Sequence, residues 1–206
     1  MSVAAREGNA KIILSNQPPL NGGCYLRRKQ GRCNTVQRIK RILQHQFFQA
    51  CLSFNQERER NRIFCCHDLK HLTDVARICY ILVLEEDAGK KIISDHTGRE
   101  KIKEVVYAAA LTHDMGRWVQ YDTGEDHALA GAGLAERVLK ETGFRSSEIE
   151  VITDAVLNHR SGATGGGILG EYLRRADDLS RPCWQCEARD ACKKLHRMET
   201  AAGLVY

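Results

Sequence analysis

The segment Val105–Leu111 constrains the fold of this chain more strongly than any other feature, because its seven successive residues are apolar or aromatic. A helix that is apolar almost all round has to be enclosed by other elements, so the segment predicts a central helix from about residue 100 to 113. Helical spacing of apolar residues predicts further helices, beginning near residue 35 and at about 67–85, 127–141, 148–159 and 168–179. No convincing series of strands is present. The expected fold class is all-α, a bundle of about six to seven helices.

Capping residues mark where two of these helices begin. Asp126 precedes the helix at about 127–141, and Ser146 and Ser147 precede the next one. Side-chain oxygens of Asp and Ser accept hydrogen bonds from the first free backbone N–H groups of a helix. We therefore expect Asp126 and one of the two serines to act as N-caps.

Residues 1–33 differ from the rest of the chain, since they mix Gly, Asn, Pro, Lys and Arg without a period. This composition predicts a disordered or poorly ordered basic extension ahead of one domain at 34–206. Residues 1–63 hold twelve Lys and Arg against three acids, a charge of +9, so a total of +5 leaves −4 for the rest. The basic arm could contact polyanions, but a solvated tail is favoured and a nucleic-acid partner is not expected.

Neither a membrane span nor an export signal is evident in the sequence. No apolar run reaches the roughly 18–20 residues that cross a bilayer, and the early stretch Ile12–Leu14 is too short for a signal peptide. We therefore expect a cytoplasmic protein that makes no membrane contact. In a reducing compartment, its nine cysteines are expected to be thiols or metal ligands rather than disulfides.

Four histidines at the ends or on the polar faces of predicted helices stand out, together with two aspartates. Any one of these histidines alone is more often structural, for example through the dipole at a helix end. As a set they offer the imidazole and carboxylate ligands that borderline divalent metals prefer, from separate helices as in bundle metal sites. The set comprises His71, His113, Asp114, His127, His159 and Asp177.

The flanking residues of this set resemble the HD superfamily of metal-dependent phosphohydrolases. Leu111-Thr-His-Asp-Met-Gly-Arg117 is similar to its signature LxHDxGK/R. An upstream histidine motif and a downstream aspartate are matched by His71-Leu-Thr-Asp-Val75-Ala76 and Ala176-Asp177. Two further histidine motifs resemble those of members with two metals, such as the hydrolases that cleave diadenosine tetraphosphate symmetrically. They are His127-Ala-Leu-Ala-Gly131-Ala132 and Asn158-His159.

This resemblance implies an HD-domain fold over residues 34–206 and two divalent metal ions, iron, manganese or a similar ion. The first ion would be held by His71, His113, Asp114 and Asp177, with Asp114 as a bridging and catalytic residue, and the second by His127 and His159. Two such ions can activate a water at neutral pH for attack on a phosphoester or phosphoanhydride. The implied substrate is small, phosphorylated and nucleotide-like.

Two arginines and two more histidines near these motifs have open roles. Guanidinium groups fit phosphate oxygens, so Arg117 is a candidate for catalysis and substrate binding, and Arg160 for substrate binding, with a plain salt bridge as the alternative for each. His67 could contact a metal or substrate, or cap the helix that follows it. His45 has no partner that the sequence reveals.

The spacing Cys183-x2-Cys186-x5-Cys192, within a cysteine-rich segment at 181–206, predicts either a bound metal or free thiols. A fourth ligand could be His196, or Cys65 or Cys66 from the segment before His67. Some HD-domain proteins that the chain resembles carry a similar tail and a cysteine at the position of Cys65. Zinc, an iron–sulfur cluster and unliganded thiols all remain open.

Two other functions compete with hydrolysis. One is a non-catalytic, nucleotide-binding or redox-responsive regulatory module, against which the complete ligand set argues. The other is a di-iron oxygenase of HD type, which the sequence does not distinguish from a hydrolase.

Overall fold

The structure is a computed structural model that describes residues 37–93, 99–160 and 167–206. The predicted extension 1–33, and with it Cys24 and Cys33, lies outside the described residues, as does His96. Within the described ranges no helix is long and apolar enough to cross a membrane.

The described chain is built from α-helices and short 3₁₀ turns, and none of its residues forms a strand, so the predicted all-α fold is confirmed. The α-helices are α1 (Gln37–Gln44), α2 (Gln46–Glu59), α3 (Leu69–Glu85), α4 (Gly89–Ile92), α5 (Arg99–Thr112), α6 (Arg117–Thr123), α7 (His127–Thr142), α8 (Ser146–Asn158) and α9 (Gly167–Leu179). The 3₁₀ turns that follow are Cys183–Gln185, Arg189–Ala191, Leu195–Arg197 and Glu199–Ala201.

Helix α5 is the central helix, as its apolar run predicts. Five of its apolar residues have no exposed surface, namely Val105, Val106, Ala108, Ala109 and Ala110. The small alanine side chains let α3 and α8 pack closely against it, and α9 packs against the same two helices. The core therefore lies around α5, and the ends of these helices surround its C-terminal end.

The first predicted helix is broken in two at His45, whose backbone is extended (ψ 122°). Ile42 and Phe48 are both fully buried. On one continuous helix these two residues, six positions apart, would point about 120° away from each other, so the break lets both enter the core. His45 then pairs with Glu141 through Nε2 at 2.8 Å.

One of the two N-cap predictions is confirmed and the other is wrong. Asp126 accepts from the backbone N–H of Ala128 at 2.8 Å and caps α7. The serine prediction is wrong, because Ser146 is already the first residue of α8. Instead, Glu148 accepts from the backbone N–H of Arg145, the N-cap residue, at 2.8 Å.

Candidate metal centre

The six predicted ligands all come from helix ends and meet at one end of the bundle. His71 lies in the first turn of α3 and Asp177 near the end of α9. His113 and Asp114 directly follow α5, while His127 begins α7 and His159 follows α8.

Four of them form a first group whose ligand atoms all lie within 4.8 Å of one another: His71, His113, Asp114 and Asp177. Oδ2 of Asp114 is 3.0 Å from Nε2 of His113 and 3.6 Å from Nε2 of His71. Oδ1 of Asp177 is 3.2 Å from the same nitrogen of His71.

A second group combines Asp114 with His127 and His159 at the same spacing. Oδ1 of Asp114 is 3.4 Å from Nε2 of His127, and the rings of His127 and His159 are 5.4 Å apart. Asp114 thus offers one oxygen to each group. This is the position in which the sequence resemblance expects a bridging carboxylate; metal binding itself stays a prediction.

Hydrogen bonds on the far side of three of the four rings fix the tautomers of His113, His127 and His159. Nδ1 of His113 donates to the carbonyl oxygen of Ala110, and Nδ1 of His159 to that of Val156, each at 2.7 Å. Nδ1 of His127 donates to Oε1 of Gln120, also at 2.7 Å. Because these oxygens only accept, the protons are on Nδ1 and the Nε2 lone pairs point into the centre.

Several of these inward atoms are buried without any hydrogen-bond partner, namely Nε2 of His113, Nε2 of His127 and Oδ2 of Asp114. Leaving buried polar atoms unpaired costs about 1–3 kcal/mol each. One divalent cation in each group would satisfy them, Nε2 of His113 and Oδ2 of Asp114 in the first group and Nε2 of His127 in the second. Imidazole with carboxylate is a donor set that such ions accept. The residues present therefore fit a metal ion.

The protonation states of these side chains at neutral pH also suit metal binding. Burial opposes the charge of Asp114, but His113 and Arg117 hold the pKa of its carboxyl well below the usual range. Burial, helped by the charge of Arg117, lowers the pKa of His127 to about 3. Burial also lowers the pKa of His159, so both imidazoles are neutral.

The sequence did not predict the polar residues that lie behind the ligand side chains and pair with one another there. His67 is not the helix cap, because Asp68 accepts from the N–H of His71 at 2.8 Å. Instead Nδ1 of His67 pairs with the buried carboxylate of Glu59, which also accepts from Tyr121 at 2.6 Å. Nε2 of His67 lies 3.8 Å from Oδ2 of Asp114. No local pattern marks Glu59, which stands in a charged stretch of otherwise exposed residues.

Arg181 is a second residue that the sequence analysis did not single out. Its guanidinium is buried and donates to Nε2 of His71 at 2.8 Å and to Oδ1 of Asp177 at 2.9 Å. The spacing of four from Asp177 was a usable signal, since residues four apart lie one helical turn from each other. Its charge offsets the carboxylates of the first group.

The two arginines proposed for substrate binding differ in their surroundings. Nε of Arg117 donates to Oδ1 of Asp114 at 2.9 Å. Arg160 forms a half-exposed ion pair with Asp126 at 2.6 Å. Both line a cavity of about 360 Å³ that also reaches His67 and Asp177.

The same cavity is lined by Cys65, Cys183, Cys186 and Cys192. None of these thiols belongs to a His/Asp group, and all four are free. His196 is exposed and is not among the lining residues. The structure thus places Cys65 near the three C-terminal cysteines, rather than His196.

Comparison with known proteins gives one family match, the HD domain, over residues 68–182, which is more than half of the chain. An uncharacterized protein of Clostridium beijerinckii is 34% identical over 141 residues, covering 68% of this chain and 82% of the relative. A bifunctional uridylyltransferase/uridylyl-removing enzyme of a Bradyrhizobium species is 28% identical over 114 residues. That match covers 55% of this chain but only 10% of the enzyme. No solved structure matches the chain.

Proposed function

Because the chain belongs to the HD-domain family, we propose that it is a metal-dependent phosphohydrolase. Its substrate would be a small, phosphorylated, nucleotide-like molecule that is cleaved at a phosphoester or phosphoanhydride bond. The observation that carries this proposal is the position of Asp114, which offers one carboxylate oxygen to each of two groups of inward-facing ligands.

The six ligands would hold two divalent ions, with His71, His113 and Asp177 on one side of Asp114 and His127 and His159 on the other. Such a pair of ions supplies a nucleophile from water at neutral pH and stabilises charge on the attacked phosphorus group. The chain's own part is to keep His127 and His159 neutral, to orient the rings of His113, His127 and His159 through Nδ1, and to keep Asp114 ionised.

Charge in the cavity supports an anionic substrate. Seven cationic residues line it against Asp177 and Asp178, and six of the seven come from residues 64–206, which as a whole carry −4. The concentration of positive charge is therefore local and is not a consequence of composition. The cationic lining residues are Arg62, Arg117, Arg160, Arg181, Arg189, Lys193 and Lys194.

Arg117 and Arg160 are the residues that we assign to the phosphate groups. Nε of Arg117 donates to Asp114, so the two terminal nitrogens of the guanidinium can bind a phosphate oxygen next to the centre. The ion pair between Arg160 and Asp126 is half-exposed, so it stabilises little and can be exchanged for a phosphate. The two together favour a substrate with more than one phosphate.

The test is hydrolysis by the full chain, purified without oxygen and loaded with Mn²⁺ or Fe²⁺. Nucleotides, phosphodiesters and dinucleoside polyphosphates form the panel, because one relative's printed name includes uridylyl removal, which breaks a bond of this class. We expect turnover that a chelator abolishes and that Asp114→Asn does not show. A chain that holds two ions per molecule but hydrolyses nothing in the panel contradicts the proposal. Oxygen consumption with a substrate would instead favour the oxygenase.

A further inference from the structure

The C-terminal segment after α9 lacks a core of its own. Of residues 182–206, only Cys183, Met198 and Thr200 are buried, and its regular structure consists of one-turn 3₁₀ helices. Such short turns are weakly stable on their own. Segments with so small a core usually need a disulfide or a metal to hold them.

Four thiols from two distant parts of the chain meet beside this segment. Cys183 begins the first 3₁₀ turn, Cys186 directly follows that turn, and Cys192 directly follows the second. Cys65 comes from the connection between α2 and α3. Arg181 ties that connection to the segment, because it donates to the carbonyl oxygen of Cys66 at 3.2 Å as well as to Asp177.

The spacing of these thiols argues against a single zinc ion. Four ligands at about 2.3 Å from one tetrahedral ion lie about 3.8 Å from one another. In the described residues, the groups whose ligand atoms come within 4.8 Å of one another consist of His and Asp alone. The thiols are therefore not gathered at one point, although they line one cavity. Burial raises the pKa of the Cys183 thiol, and the nearby thiols of Cys65, Cys192 and Cys186 raise it further.

We propose that Cys65, Cys183, Cys186 and Cys192 bind a four-iron iron–sulfur cluster in the wall of the cavity. Such a cluster takes one thiolate on each iron, so its ligands stand around a volume instead of a point. The thiolates give the site negative charge, which Arg181, Arg189 and Lys194 in the same lining can balance. The cluster shares no ligand with the His/Asp groups, although it would lie in the wall of the cavity to which the proposed function assigns the substrate.

Cys66 provides a matched control. It is adjacent to Cys65, but it is exposed, its thiol contacts the carbonyl oxygen of Phe64 at 3.7 Å, and it does not line this cavity. Cys65→Ser should therefore remove the cluster and Cys66→Ser should not, although the two substitutions are chemically identical.

The experiment uses the full chain, purified without oxygen and reconstituted with Fe³⁺, sulfide and a thiol that reduces part of the iron to Fe²⁺. We expect about four acid-labile sulfides per chain and a broad visible absorption that dithionite bleaches. Both should be lost in Cys65→Ser and Cys192→Ser and kept in Cys66→Ser. His127→Ala should keep the sulfide, because iron at the His/Asp groups brings none. Circular dichroism checks that each variant stays helical.

The wild-type measurement decides the matter even where a variant fails to fold. One zinc per chain without sulfide, disulfides among the four cysteines, or thiols that bind no metal would each overturn the proposal. So would a cluster that survives in both Cys65→Ser and Cys192→Ser.

Discussion

Nδ1 of His127 donates to Oε1 of Gln120 across 2.7 Å, and this bond turns the lone pair of Nε2 toward Asp114. Gln120 lies in α6, a helix with no buried residues. A surface helix thus sets the tautomer of a fully buried imidazole in the second His/Asp group.

Gln120→Leu should weaken binding of one of the two metal ions. Without an acceptor at Nδ1 the ring loses its fixed tautomer and orientation, and loss of such a partner typically costs about 10–100-fold in metal affinity. Calorimetric titration of the chelated protein with Mn²⁺ measures this. Gln120→Glu keeps an acceptor oxygen and should retain much of the affinity. Equal affinity in Gln120→Leu and the wild type would contradict the role assigned to Gln120.

Gly116 should not tolerate even one methyl group. A Cβ built there would lie 2.4 Å from the carbonyl oxygen of His127 and 2.6 Å from the backbone nitrogen of Gly131. Gly116→Ala must push α7, and His127 with it, away from Asp114, so we expect about 1–3 kcal/mol of lost stability and a larger loss of metal binding. Urea unfolding and metal analysis test this.

The matched control for that change is Gly133→Ala in the same helix α7. A Cβ at Gly133 meets nothing within 4 Å, and alanine is a better helix former by about 1 kcal/mol. Stability should therefore stay level or rise, with metal binding unchanged. Similar losses in both variants would show that contact with His127 is not the reason.

The six candidate ligands could be predicted because each carries a local signature, but their supporting partners could not. Glu59 meets His67 and Tyr121, and Tyr121 is 62 residues away along the chain. No periodicity links positions so far apart. The break at His45 was missed for a related reason: the apolar pattern gave a helix, but only the position of the core decides that Ile42 and Phe48 must both face it.

Acid should begin to destabilise the metal-free protein at pH values well above the pKa of any carboxylate. The pKa of His127 is about 3 in the folded chain, against about 6.5 when unfolded. Between these values the unfolded chain binds a proton that the folded chain does not, so the free energy of unfolding falls as pH falls through this range, by up to about 1.4 kcal/mol per pH unit. Stability from this residue is complete above about pH 6.5.

Urea unfolding of the chelated protein at about pH 7 and pH 5 measures that slope. Asp114 and Asp177 also have lowered pKa values, but their contribution is lost only below about pH 4, outside this window. His127→Gln should show a shallower decline than the wild type. An unchanged slope would mean that His127 does not remain neutral in the fold.

Substitutions of Arg160 and Arg117 should differ in their effects on KM and kcat. Arg160 can exchange its exposed pair with Asp126 for a phosphate. Arg160→Gln should therefore raise KM about 10-fold, since a hydrogen bond to a charged group contributes about 1.5 kcal/mol or more, with little change in kcat. Arg117 also donates to Asp114, so Arg117→Gln should lower kcat as well. Lys140 is a surface cation in a pair with Glu136, at the opposite end of α7 from His127, and Lys140→Gln removes the same charge without touching the cavity. If all three variants raise KM equally, the effect is one of overall charge, and neither arginine contacts the substrate in the way proposed here.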